Sequence, residues 1–134
     1  MSTDISAMET RKHEAAAKKR CGSHNCAQAV VCTYKDLIGL DEPTSLGVAG
    51  AFGTGMGCME GTCGALVGAG IVLGMVEKDK ARAMRGMKQV LTQFRQRNGA
   101  TQCRMLKGVD TGIVLRECPD CVADAAEFLE EIIG

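Results

Sequence analysis

The chain reads as an all-α protein, a compact bundle of five or six helices around a Gly-rich buried central helix. Three observations predict this. Apolar residues recur at spacings of three and four along most of the sequence, with no strand-like alternation. Cap residues and glycines punctuate these stretches at helix-like intervals. Ala, Gly and Met are abundant while aromatic residues are confined to Phe52, Phe94, Phe128 and Tyr34, a composition suited to close helix–helix approach with Met filling the gaps. At 134 residues the chain is long enough to bury a core as one domain, 1–134, in which 1–20 is a charged N-terminal helix and 21–134 the cysteine-bearing body.

Ser6 to Arg20 is rich in Ala, Lys and Glu and free of Gly and Pro, so propensity favours a helix. Gly22-Ser23-His24-Asn25 breaks it, and Asn25 caps a second helix. That helix runs to about Ile38, buries Ala27, Val30, Val31, Tyr34 and Leu37 or Ile38, and stops at Gly39. Asp41-Glu42-Pro43 reads as a turn, after which Thr44 or Ser45 caps a short helix carrying Leu46, Val48, Ala49 and Phe52. The glycines of Gly53-Thr54-Gly55-Met56-Gly57 make a tight or mobile loop. Thr62 caps an apolar helix from Cys63 to about Val76, in which Gly64, Gly68, Gly70 and Gly74 give two small-residue faces. Asp79 to Asn98 is amphipathic, with Met84, Met87, Leu91 and Phe94 as its apolar stripe and Gly99 as its C-cap. Thr101 caps a turn through Cys103 to Leu106, and 107–116 is irregular. Cys118-Pro119 opens the last helix, which buries Val122, Ala126, Leu129 and Ile133 and turns Glu127, Glu130 and Glu131 outward.

Several functions are excluded by composition. Sixteen basic and sixteen acidic side chains cancel, so the electrostatic footprint of a nucleic-acid binder is missing. The apolar stretch around 47–76 is cut by the glycine loop and falls short of the roughly 20 residues that a membrane span needs. Residues 1–20 contain no apolar signal core and no Arg-Arg pair, so the expected compartment is the cytoplasm, where thiols stay reduced. No GK[ST] follows the glycine loop, and nothing resembles a hydrolytic triad or a paired-carboxylate site. His13 lies on the charged first helix and carries no argument.

Eight cysteines in a reducing compartment point to metal or catalytic use, against the plain alternative of small buried residues. Four of them fall at helix starts: Cys26 after Asn25, Cys63 after Thr62, Cys103 two after Thr101, and Cys118 in the cap position before Pro119. The first turn of a helix offers unpaired N–H groups and a partial positive charge, which favour thiolate. If the four starts converge they form a pocket for an anionic sulfur site. The glycines from Gly53 to Gly57, with Gly64, could then turn N–H groups toward the sulfurs as a nest.

Several motifs occur in the order of one family: Asn25-Cys26-Ala27-Gln28-Ala29-Val30, Phe52 to Gly57, Thr62-Cys63-Gly64-Ala65-Leu66-Val67-Gly68, Cys103-Arg104 with Leu106, and Cys118-Pro119 with Val122 and Ala125. From about Gly22 onward the chain resembles the redox-active proteins named for the pattern C_GCAxxG_C_C. That resemblance puts the characteristic cysteines on Cys26, Cys63, Cys103 and Cys118. It implies a redox role, with an iron–sulfur cluster on those four ligands and electron transfer to a partner protein. Cys21, Cys32, Cys58 and Cys121 are additions to the pattern, to be read as resolving thiols, a fifth ligand, a second cluster, or small buried residues.

Two other chemistries remain open at this point. Cys118-Pro119-Asp120-Cys121 could be a metal-free dithiol at a helix start, in an oxidoreductase or redox sensor whose catalytic pair is Cys118 and Cys121. Zinc would accept the four thiolates in an interaction module, although only this one short Cys-x-x-Cys clip is present. A c-type haem is disfavoured because Val122 follows the clip. His24, two residues from Cys26, reads as a ligand, a proton donor or a plain surface residue, and Glu60 as a neighbour that could tune a cluster or simply face water. The Gly- and Met-rich central helix also suggests a homodimer.

Overall fold

The computed structural model describes residues 3–133, and side chains from residue 11 onward. Among these residues there is no named strand. The elements are α1 (Thr3–Arg20), α2 (Cys26–Thr33), α3 (Lys35–Ile38), α4 (Glu42–Ala49), a π-type turn (Gly55–Met59), α5 (Gly64–Glu77), α6 (Lys80–Asn98), α7 (Cys103–Leu106) and α8 (Cys118–Ile133). Only α3 and α7 are single turns of four residues; the other α-helices are the bundle that periodicity predicts.

Helix α5 lies at the centre, packed against α2, α6 and α8. Ala65, Leu66, Ala69, Val72 and Leu73 are fully buried along it. Its glycines divide into two kinds. A Cβ on Gly68 would stand 2.8 Å from the Ala27 carbonyl oxygen and 3.1 Å from Val30 Cβ, so the α2–α5 contact is backbone against backbone. Gly74 faces open space. Of the second face, Gly70 packs against Met87 of α6, where a Cβ would stand 3.5 Å from its sulfur, and only Gly74 is left without a neighbour.

The second predicted helix is split at Tyr34, whose φ of −103° and ψ of 11° interrupt the regular turn between α2 and α3. The fully buried Tyr34 ring is anchored by its hydroxyl, which donates to Ala126 O of α8 at 2.7 Å. Exchange of Tyr34 for Phe leaves the ring's packing and removes this bond. It is expected to cost about 1 kcal/mol in urea unfolding, with little change in m-value. Ile38 is the buried residue of α3, and Leu37 is exposed.

Three more boundaries and faces differ from the sequence reading. Helix α4 begins at Glu42, because Asp41 Oδ1 accepts from Thr44 N at 2.9 Å and Pro43 fits the first turn, where no N–H is needed. In α6 the buried line is Gly86, Val90, Phe94 and Asn98, whereas Met84 is 66% exposed. The rotation follows from Gly86, which admits Leu73 of α5 to within 3.2 Å of where a Cβ would sit. On α8, Glu127 and Glu130 are not free. Arg97 reaches Glu127 at 3.0 Å, Lys12 reaches it at 3.6 Å, and Arg11 approaches Glu130 at 3.4 Å, tying α1 and α6 to the last helix.

Candidate functional site

Each cysteine at a helix start is placed by a local rule. Asn25 caps α2 in a full capping box: its Oδ1 accepts from Gln28 N at 2.8 Å, and Gln28 Oε1 accepts from Asn25 N at 3.0 Å. Cys26 is thereby the first residue of the helix. Cys63 is itself the N-cap of α5, with extended φ and ψ of −48° and 131°, so the cap is one residue later than Thr62. Gln102 rather than Thr101 caps α7, and Cys103 opens it. Cys118 is the first residue inside α8 rather than its cap, since Cys121 N already donates to Glu117 O at 2.9 Å.

Long-range bonds then bring these starts together. The segments before α5 and α7 clasp each other: Cys63 N donates to Thr101 O at 2.8 Å, Cys103 N donates to Gly61 O at 3.0 Å, and Thr62 and Gln102 form an isolated antiparallel bridge. Gln102 Nε2 adds a bond to Glu60 O at 2.8 Å. On the other side Asn25 Nδ2 holds Gly50 O at 3.1 Å, drawing the glycine loop over the start of α2. Gly55 and Gly64 occupy the positions where backbone meets thiol. A Cβ on Gly55 would stand 2.5 Å from Cys103 Cβ and 3.3 Å from its Sγ, and one on Gly64 would stand 3.2 Å from Cys26 Cβ.

Five thiols come near enough to act on one another: Cys26, Cys63, Cys103 and Cys121 are buried and Cys118 is half-buried. Their mutual influence on protonation reflects this proximity. Cys118 is pushed down to about 5 by the neighbouring Cys26 thiol, with the Lys107 ammonium adding to the effect against burial. Cys26 is correspondingly pushed up by Cys118 and by burial. Cys63 is lowered by the Cys121 thiol and by the N–H groups of Ala65 and Leu66, the helix-start effect anticipated from sequence. Cys121 rises in turn, and burial raises Cys103. In each pair one sulfur is lowered and its neighbour raised, Cys118 against Cys26 and Cys63 against Cys121.

In the reduced, metal-free chain the ordinary thiol value of 9.0 falls at Cys118, so its thiolate persists from neutral pH down to about 5 and is lost below. Alkylation of Cys118 by iodoacetamide should follow that profile, read by peptide mass mapping. Exchange of Lys107 for Met should move the midpoint upward.

The remaining cysteines lie elsewhere. Cys21 is exposed, with Ser23 Oγ 3.1 Å from its sulfur, and Cys58 is exposed on the π-type turn. Cys32 is buried on α2 beside His24 and Glu42. His24 accordingly faces Glu42 rather than the thiol cluster, their Nε2 and Oε2 atoms being 3.1 Å apart. Cys121, expected from sequence as a fifth ligand or the dithiol partner of Cys118, falls beside the other thiols, and Lys107 is the contributor that the sequence did not single out. Cys121 joins the cluster because it follows Cys118 by one helical turn, and Lys107 reaches Cys118 from the end of α7, four residues after Cys103. Both i+3 and i+4 spacings are visible in the sequence.

The fold and site define a helical bundle with a cysteine-centred site at the starts of its helices. The family described as "Putative redox-active protein (C_GCAxxG_C_C)" matches residues 24–132, and the chain belongs to it. No curated protein and no solved structure matches the chain. Among the described residues no helix is long and apolar enough to cross a membrane.

Proposed function

We propose that Cys26, Cys63, Cys103 and Cys118 hold an iron–sulfur cluster and that the protein passes electrons to a protein partner. The observation that supports this reading is that thiols from four helix starts act on one another's protonation, with Gly55 against Cys103 and Gly64 against Cys26. The donor set fits the group. Thiolates are the ligands such clusters take, and first-turn N–H groups, such as those of Ala65 and Leu66 at Cys63, stabilise the charge on sulfur. When bound, such a cluster supplies one-electron chemistry at a potential set by the charges and hydrogen bonds around its sulfurs.

The chain's own residues have distinct parts in this scheme. Cys121 is held protonated by the neighbouring Cys63 sulfur and by burial, and its S–H donates to Arg116 O at 3.9 Å. Lys107 places a positive charge beside Cys118. The buried carboxylate of Asp124 accepts from Arg97 at 2.8 Å, Asn98 at 3.1 Å and Arg116 at 3.0 Å, fixing the loop that runs into Cys118. Zinc on the same thiols is less well supported. Around a single tetrahedral ion the sulfurs would sit about 3.8 Å apart, whereas among the described residues the three-ligand group within 4.8 Å is His24, Cys32 and Glu42, not three of these thiols.

Exposed Met105, Ile113, Val114 and Leu115, on α7 and the loop leading to Cys118, offer an apolar contact face for the electron partner. The chain acts as one domain, α1 included, because Arg11 bridges α1 to Thr33 O at 2.9 Å and to Asp36 at 2.9 Å. A reducing compartment such as the cytoplasm suits eight free thiols.

A second reading is favoured by the thiolate–thiol pairs. The Cys118 thiolate attacks a partner's disulfide, releasing one partner thiolate and forming a mixed disulfide, which Cys26, the thiol that lowers Cys118, resolves by attacking the Cys118 sulfur and releasing the second partner thiol. Anaerobic incubation of the reduced chain with ferrous iron and sulfide separates the two. Visible charge-transfer absorption that survives desalting supports the cluster, and a colourless chain with unchanged thiol reactivity supports the dithiol.

A further inference from the structure

His24, Cys32 and Glu42 come from three separate places, the loop before α2, the body of α2 and the first turn of α4. One ligand atom from each nevertheless lies within 4.8 Å of the other two. We propose that these residues form a zinc site separate from the five-thiol cluster. One imidazole nitrogen, one thiolate and one carboxylate oxygen are the mixed donor set that zinc accepts, with water as the fourth ligand.

The local geometry is arranged for a cation. Ligand atoms about 2.0–2.3 Å from a tetrahedral ion stand about 3.3–3.8 Å apart. His24 Nε2 and Glu42 Oε2 are already 3.1 Å apart, so a small outward shift admits the ion. The other ring nitrogen, Nδ1, lies 2.6 Å from Ser23 Oγ, and the Ser23 hydroxyl donates onward to Lys18 O at 3.4 Å. In the tautomer that binds a metal, Ser23 accepts from Nδ1–H and the Nε2 lone pair points at the carboxylate, the arrangement of a histidine oriented by its outer partner. In that tautomer Nε2 and Oε2 are both acceptors, and a positive charge between them is favourable. A proton would suffice for the pair alone, but Cys32, only 1% exposed, brings a third ligand of the right softness.

The other oxygen of Glu42, Oε1, is held by Lys35 Nζ at 2.7 Å, which fixes the carboxylate without blocking Oε2. Lys35 is the cation nearest the site, and Lys18 is engaged with Glu14 at 2.7 Å. On binding, the Cys32 thiol releases its proton to solvent as the S–Zn bond forms. The ion would clip the first turn of α4 and the 21–25 loop onto α2, whose first residue is Cys26.

Zinc(II) alone, buffered by a chelator, is the probe for the full-length chain, with iron measured on the same samples. Wild type should take up one equivalent more than Cys32→Ala or Glu42→Gln, and Ser23→Ala should weaken that equivalent about 10–100-fold. Cobalt substitution should give a thiolate band that Cys32→Ala loses, while iron content stays unchanged. The Glu42 side chain is partly exposed, and circular dichroism of Glu42→Gln is expected to match wild type. Equal zinc uptake by wild type and Glu42→Gln would overturn the proposal whatever the iron content proves to be.

Discussion

Serine at position 118 is expected to strip the protein of iron and visible absorption while leaving its helical circular dichroism intact. Cys118 is the only half-buried member of the cluster, and its sulfur takes the thiolate form through the Cys26 thiol and Lys107. A serine hydroxyl is a poor ligand and does not ionise at neutral pH, so the charge that would anchor the cluster disappears. Backbone geometry should hardly change, since serine is also a good residue at a helix start. The control is Cys121→Ala, which removes a protonated neighbour rather than a proposed ligand. It should retain iron, because the Cys121 thiol donates to Arg116 O at 3.9 Å and is not one of the four proposed ligands. Loss of iron in the alanine variant but not in the serine variant would reassign the ligand set.

Valine at position 68 is expected to destabilise the fold more than any exchange at the surface. The new Cβ would stand 2.8 Å from the Ala27 carbonyl oxygen, an atom fixed within α2. Relief requires α2 and α5 to separate, which also moves Cys26 away from Cys63. A cost of about 3 kcal/mol, the upper end of ordinary overpacking, should appear as a lower denaturation midpoint. The comparison is Gly74→Ala, whose Cβ meets nothing within 4 Å and whose helix propensity improves. That variant should gain about 0.5–1 kcal/mol.

The helices were legible because local chemistry sets their ends. Asn25, Asp79, Gly39 and Gly99 do in the structure what their residue types suggest. The errors were of register, where a tertiary contact overrides the local signal. Tyr34 breaks a continuous apolar period because its hydroxyl is bound by α8, and α6 turns Met84 to solvent because Gly86 is the better seat for Leu73. The presence of thiols at helix starts was also legible to within a residue. Their meeting was not, because it rests on the clasp between 61–63 and 101–103 and on the Asp124 network, which link residues far apart in sequence. The same holds for Glu42, which sits beside His24 and Cys32 only once α4 folds back on α2.

Iron and acid-labile sulfide, measured together with the visible spectrum on protein purified without oxygen, test the proposed centre most directly. The expected result is a coloured protein with both elements in fixed ratio to the chain, lost together when Cys26, Cys63, Cys103 or Cys118 is changed to serine. Colourless protein without iron or sulfide, with all eight thiols open to titration after unfolding, would contradict it.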